Sequence, residues 1–227
     1  MIIGLTGRKQ VGKDTIGEML VHDFGFLRLA FGDELKRRAL LSNPLVPITD
    51  DCPGCQGYAR QASGSQRQPT HFVYLRRLVD QHGWDDAKER FPGVRALLQS
   101  TGDQIRAQEP DLLVRTVLDQ IEMADLAASR VVVTDVRFPT EAQALSDLGG
   151  YLVRVVRPGN AVSGPIPSPD DPDPLTQHAS ETNSDFIDVN QILVNDSDLD
   201  VLRTRAVRLV ERATRAQAQV SADGGPR

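Results

Sequence analysis

Residues 1–15 read Met1-Ile2-Ile3-Gly4-Leu5-Thr6-Gly7-Arg8-Lys9-Gln10-Val11-Gly12-Lys13-Asp14-Thr15. The first six form a short apolar run ending at a glycine, which suits a buried parallel strand. Gly7 to Gly12 reads as a loop. From Lys13 to Asp23 the apolar residues Ile16, Met19 and Leu20 recur at helical spacing. A strand, then G-x-x-x-x-G-K, then a helix is the context of a phosphate-binding loop, or P-loop. Glycines let backbone N–H groups turn inward around a phosphate, and the helix adds its positive end. The phosphate-contacting candidates are therefore Gly7, Gln10, Val11, Gly12, Lys13, Asp14 and Thr15. Lys13 supplies a full charge at the β- and γ-phosphates of a nucleoside triphosphate such as ATP. Asp14 occupies the position where Ser or Thr usually follows the lysine, so the hydroxyl that can help hold Mg²⁺ is that of Thr15.

Working outward, the pattern is of strands alternating with helices. Phe26 to Phe31 reads as a second strand, and Asp33 to Leu41 as a helix. Helical patterns recur at 72–81, 93–107 and 110–126. Arg130 to Asp135 (RVVVTD) is the clearest strand, followed by a helix over 139–148, a strand over 151–156, a strand over 191–194 and a long closing helix over 198–218. Such alternation predicts an α/β fold with a parallel sheet covered on both faces. One domain is expected over 1–219. Residues 43–70, rich in Pro, Gly, Ser and Gln, read as an irregular insertion. Residues 158–177, rich in Pro and Asp, read as a mobile, lid-like loop, and 220–227 as a disordered tail.

The bulk numbers narrow the function. The chain has 227 residues, long enough for one α/β domain with an insertion or lid. Its formal net charge of −5 gives no general attraction for nucleic acid or anionic membrane, so an anionic ligand needs a local cluster of positive charge. Among the basic residues, 22 are Arg and four are Lys, which makes a lysine at a motif position more telling. No signal peptide and no membrane span is read, so a cytoplasmic location is expected. Cys52 and Cys55 have zinc-knuckle spacing, but no second pair exists, and they read as ordinary cysteines in a Pro-Gly turn.

Asp135 ends the RVVVTD strand, where P-loop folds place an acid that orders Mg²⁺ or its waters. The alternative is a helix N-cap. Arg137 follows above the carboxyl edge of the sheet, where a guanidinium suits a phosphate, although an ion pair with Glu141 is the competing reading. Arg154 and Arg157 flank the end of the next strand. Arg157 is placed to meet phosphate when a lid closes.

Taken together, these segments resemble the deoxynucleoside monophosphate kinase family of phages and related bacterial proteins. The matching stretches are GRKQVGKDT, LAFGDELKR (29–37), LLQSTGDQIR (97–106), VVVTDVRFPTEAQAL (131–145), HASE (178–181) and ILVNDSDLDVL (192–202), in the family's order. The glycine loop resembles the G-K-G-T of nucleoside monophosphate kinases more than the usual G-K-[ST]. The resemblance implies a P-loop sheet in the order 2-3-1-4-5, Mg-ATP at the loop and a nucleoside monophosphate across from it. It places Phe31, Asp33 and Lys36 at the monophosphate site, with Arg106 reaching the acceptor phosphate. His178, Ser180 and Glu181 receive no firm chemical role, His178 reading best as a hinge or structural hydrogen-bonding group. The expected reaction is ATP plus a (deoxy)nucleoside monophosphate giving ADP and the diphosphate. Lys13, Asp135, Arg137 and Arg157 are the catalytic candidates, and Thr15 and Asp135 the Mg²⁺ candidates. Partners are nucleotides rather than nucleic acid or membrane, with a homodimer left open. A kinase for another acceptor such as dephospho-coenzyme A, or a non-catalytic nucleotide-binding regulator, are the alternatives.

Overall fold

A computed structural model describes residues 1–48, 71–127, 129–158 and 183–222. In chain order the elements are β1 (Ile2–Thr6), α1 (Lys13–Phe24), β2 (Phe26–Leu29), α2 (Phe31–Ser42), β3 (Leu45–Ile48), β4 (His71–Tyr74), α3 (Leu75–Arg90), α4 (Pro92–Gln108), α5 (Leu112–Leu126), β5 (Arg130–Val136), α6 (Pro139–Asp147), β6 (Tyr151–Val156), a 3-10 turn at Asn183–Phe186, β7 (Gln191–Val194) and α7 (Leu199–Ala222). They form two compact units. One comprises Met1–Gly32 and Leu113–Arg227, the other Asp33–Leu112.

The first unit is built on a five-stranded sheet in the order β2-β5-β1-β6-β7, every pair parallel. Counted among this sheet's own strands the order is 2-3-1-4-5, as the resemblance implies. Strand alternation sorts the side chains onto two faces. Ile3, Leu5, Val132, Val153 and Val155 meet α1 and α7 through Ile16, Leu20, Leu202, Ala206 and Leu209. Val131, Val133 and Leu152 on the opposite face meet α5 and α6 through Val117, Ile121, Ala142 and Leu145. Both faces are covered, so the strands read as unbroken apolar runs. Because all strands run parallel, the ends of β1, β5, β6 and β7 lie along one carboxyl edge. This is the edge that binds ligands in open α/β sheets.

The second unit is helical, with one small antiparallel ribbon. β3 pairs with β4, Val46 opposite Val73 and Ile48 opposite His71. Val46 and Ile48 turn inward to join Ala39, Leu75, Leu78, Phe91 and Val94 in this unit's core. The expected irregular segment at 43–70 therefore starts with a strand. Its alternation is short and interrupted by Pro47, a residue tolerated at a sheet edge, which hides it in the sequence. Residues 72–74, expected at the start of a helix, extend because they pair with that strand, and α3 begins at Leu75. Within α3, Gly83 leaves the helical region at φ 71°, ψ 172°. α5 starts at Leu112, so Pro110 lies ahead of its first turn, and α7 runs to Ala222, beyond the point where a tail was expected. The stretches 49–70, 159–182 and 223–227 lie outside the described residues, and with them Cys52, Cys55, HASE and nearly all of the lid-like loop. Among the described residues no helix is long and apolar enough to cross a membrane.

Leu5 is fully buried between β6 and the helices on one face. Leu5→Ala is expected to cost about 2–5 kcal/mol through lost transfer energy and an incompletely collapsed cavity. Urea unfolding followed by circular dichroism measures it.

Candidate active site

The loop between β1 and α1 departs from ordinary backbone three times in six residues. Gly7 has φ 131°, Gln10 φ 62° and Gly12 φ 97°. Positive φ recurring within a tight turn is a backbone condition for a nest of N–H groups that receives an anion. Both motif glycines are also confined sterically. A Cβ on Gly7 would lie 2.4 Å from the carbonyl oxygen of Val155, and one on Gly12 would lie 2.4 Å from Asn195 Nδ2. Gly12 is the N-cap of α1 and contributes no side-chain cap, so the helix presents its first amides to the loop. Ile16 N–H makes the first helical bond, to the Gly12 carbonyl, at 3.1 Å. Val11 is buried to 1% and anchors the loop in the core, while Asp14 is exposed and Thr15 half-buried.

Lys13 closes over this loop. Its ammonium donates to the carbonyls of Gly7 at 2.7 Å and Arg8 at 2.6 Å. The charge is thus held within the turn, where phosphate oxygens would be stronger acceptors than neutral carbonyls. Arg8, a variable position of the motif, was not singled out from sequence. Its Nε and Nη2 donate to Asp185 Oδ2 at 3.2 and 2.6 Å. Arg154 donates from Nη2 to the carbonyls of Ser184, Asp185 and Ile187. Two arginines thereby bolt the turn at 183–187 to the phosphate loop and to β6. Only the lone apolar-flanked arginine in Tyr151–Val156 hinted at this from sequence.

Asp135 Oδ1 and Oδ2 accept the N–H groups of Phe31 and Gly32, each at 2.8 Å. It caps the start of α2 from a different strand, so the N-cap reading holds for a helix other than the one that follows it in sequence. This also explains why the strand expected to reach Phe31 stops at Leu29. Each carboxylate oxygen keeps a further lone pair. Glu141, buried to 3%, accepts the backbone N–H groups of Arg137 at 2.8 Å and Phe138 at 3.1 Å. It thus fixes the turn that carries Arg137, whose side chain is half-buried at the carboxyl edge. Arg157 stands exposed one residue past β6, at the same edge.

Oxygen donors alone are available for Mg²⁺ here, from Thr15 and Asp135. Among the described residues there is no cluster of three or more His, Cys, Asp or Glu able to enclose a metal. That donor set fits Mg²⁺, which keeps several waters and is held by one or two protein oxygens together with substrate phosphates.

The acceptor candidates behave differently. Phe31 is 2% exposed and packs in the core with Leu29, Val117 and Val133, so its ring is a core group rather than an open platform for a base. In the second unit, Lys36 Nζ lies 3.2 Å from Asp33 Oδ1 along α2. Arg106 folds back over Gly102, where an added Cβ would sit 3.0 Å from its Nη1. Beside them Glu34, its side chain 11% exposed, receives Arg37 Nε at 2.6 Å and Arg38 Nε at 2.8 Å. The Arg37 hydrogen bond is the main cause that brings its carboxyl from the ordinary 4.5 down to about 2, against the opposing effect of burial and with help from Arg38.

No protein-family model matches the sequence. A protein of Acanthamoeba polyphaga mimivirus, named "Putative deoxynucleotide monophosphate kinase", is 28% identical over 171 residues, covering 74% of this chain and 80% of that protein. The uncharacterized protein ORF77 of Ictalurid herpesvirus 1 is 34% identical over 116 residues, 50% of this chain and 46% of that protein. Over most of its length the chain is thus a relative of a protein named as a deoxynucleotide monophosphate kinase. Solved structures similar to this chain include dephospho-CoA kinase from Campylobacter jejuni, 16% identical with a TM-score of 0.41 over 92% of this chain and 95% of that one. TT1252 from Thermus thermophilus is 18% identical with a TM-score of 0.42 over 93% of this chain and 97% of that one.

The depressed carboxyl gives this protein a defined acid response. Glu34 binds its proton less tightly folded than unfolded, so its contribution is complete above about 4.5 and is lost as pH falls toward 2. The stability difference between wild type and Glu34→Gln, measured by denaturant unfolding, is expected to be largest near neutrality. It should shrink across that acid window.

Proposed function

We propose that the protein transfers the γ-phosphoryl group of ATP to a (deoxy)nucleoside monophosphate, giving ADP and the diphosphate. The observation that carries the reading is the phosphate loop itself, with an uncapped helix N-terminus, positive φ at Gly7, Gln10 and Gly12, and the Lys13 ammonium gathered in one turn at the sheet's carboxyl edge. The acceptor class is supported by the sequence relation to the mimivirus protein and by the name that protein carries.

Phosphoryl transfer asks a protein for positioning and charge neutralisation rather than a covalent intermediate. An oxygen of the acceptor phosphate attacks the γ-phosphorus, the bond to the β-phosphate bridging oxygen breaks, and that electron pair leaves on ADP. The loop amides hold the β-phosphate in place. Lys13 balances charge on the β- and γ-oxygens, and it can exchange two neutral carbonyl acceptors for anionic ones. Thr15 and Asp135 are the residues that would hold Mg²⁺ or its waters, and the ion would supply divalent charge to the donor phosphates. Arg137 and Arg157, at the ends of β5 and β6, offer guanidinium charge to the transferring group. Arg106, Asp33 and Lys36 are assigned to the acceptor, and Phe31 contributes through its backbone and core packing.

ADP release with Mg-ATP across a panel of dNMPs, NMPs and dephospho-coenzyme A tests the proposal. Turnover dependent on one or a few nucleoside monophosphates is expected. Turnover with dephospho-coenzyme A alone would replace the acceptor, and ATP binding without any acceptor-dependent turnover would indicate a regulatory binder. Lys13→Ala should lower acceptor-dependent turnover by about 100-fold or more, the scale of removing one preorganised transition-state charge. Its circular dichroism and unfolding midpoint should stay near wild type, because the ammonium is not a core group.

A further inference from the structure

Asn195 follows β7 directly and is buried to 8%. Its side-chain Nδ2 donates to the Val11 carbonyl at 2.9 Å, across 184 residues of sequence. The same atom lies 2.4 Å from where a Cβ of Gly12 would stand. The orientation of the amide follows from its partner, since only the NH₂ end can face a carbonyl.

We propose that Asn195 is a positioning residue for the phosphate loop, setting the Val11–Gly12 peptide in the orientation that phosphate binding requires. The inference rests on the nucleotide-binding reading above. Its geometric core is the planarity of the peptide group. In a trans peptide the C=O and the following N–H point in opposite directions. Holding the Val11 carbonyl toward Asn195 therefore turns the Gly12 N–H away from β7, and fixes the entry to the Lys13–Thr15 amides at the head of α1.

The clamp is itself stiff. Asn195 N–H donates to the Val156 carbonyl at 2.7 Å. On either side of it, Arg205 Nη1 bonds the Val194 carbonyl and the Asp196 carboxylate. Asp198 Oδ1 accepts Val201 N–H at 2.9 Å and caps α7. The loop is thus positioned from the β6–β7 side at both ends, by the Val155 carbonyl beside Gly7 and by the Asn195 amide beside Gly12. A neutral donor of this length suits the place. Aspartate would set a carboxylate against a carbonyl, and an aliphatic residue would leave the buried Val11 carbonyl without its donor.

ATP binding to the full chain is measured by titration calorimetry for wild type, Asn195→Asp and Asn195→Ala, at a temperature where circular dichroism reports each folded. The expected result is an ATP Kd raised by about tenfold or more in both variants, the scale of one lost hydrogen bond. As a check that needs no variant, the Asn195 side-chain amide signal in the ¹⁵N spectrum of wild type should shift on ATP saturation. A lowered melting temperature with an unchanged ATP Kd would mark a purely structural role and overturn the proposal, as would an unmoved amide signal in ATP-saturated wild type. Wild type that binds no ATP would instead overturn the nucleotide reading on which the proposal stands.

Discussion

The site depends on a steric constraint: the phosphate loop is squeezed between its own helix and the carboxyl ends of β6 and β7. The Val155 carbonyl and the Asn195 amide each stand 2.4 Å from where a side chain would begin on Gly7 and Gly12. Glycine is required at these two positions for space as well as for positive φ. A loop confined in this way keeps its amides oriented before a ligand arrives. Preorganised dipoles of that kind stabilise charge in a transition state without reorganising at the moment of reaction.

The acids around the site are used mainly to hold backbone. Asp135 receives the first two amides of α2, and Glu141 receives two amides of the turn that carries Arg137. A buried carboxylate with charge-assisted bonds to N–H groups is well satisfied and rigid. Asp135 consequently acts beyond its own strand, since from the end of β5 it fixes where α2 starts. Arginines do similar work on the other side. Arg154 gathers the carbonyls of 184, 185 and 187, and Arg8 pairs with Asp185, so the turn at 183–187 is fastened to β6 and to the loop after β1.

Much of the first unit was legible because its signals are local. Strand runs such as RVVVTD bury both faces and so read as continuous apolar stretches, and G-x-x-x-x-G-K states its own geometry. The small ribbon was not legible. Val46 and Ile48 alternate over only four residues with Pro47 between them, and their partners begin 23 residues after Ile48. The resemblance places Phe31 at the monophosphate site, and that its ring packs in the core was not legible, because exposure is a property of what packs around a residue rather than of its neighbours in sequence.

The sequence by itself determined the strand–loop–helix that carries the phosphate-loop motif, the alternation that makes a parallel sheet, and the strand-end positions of Asp135, Arg137 and Arg157. Periodicity, glycine placement and motif spacing are short-range properties, and they survive without knowledge of contacts. Tertiary structure alone decided the pairings across long separations: Asp135 with the head of α2, Arg8 with Asp185, and Asn195 with Val11. Each joins groups that are 103 or more residues apart in the chain. Their energy comes from desolvated hydrogen bonds that form only when the sheet brings its strand ends to one edge.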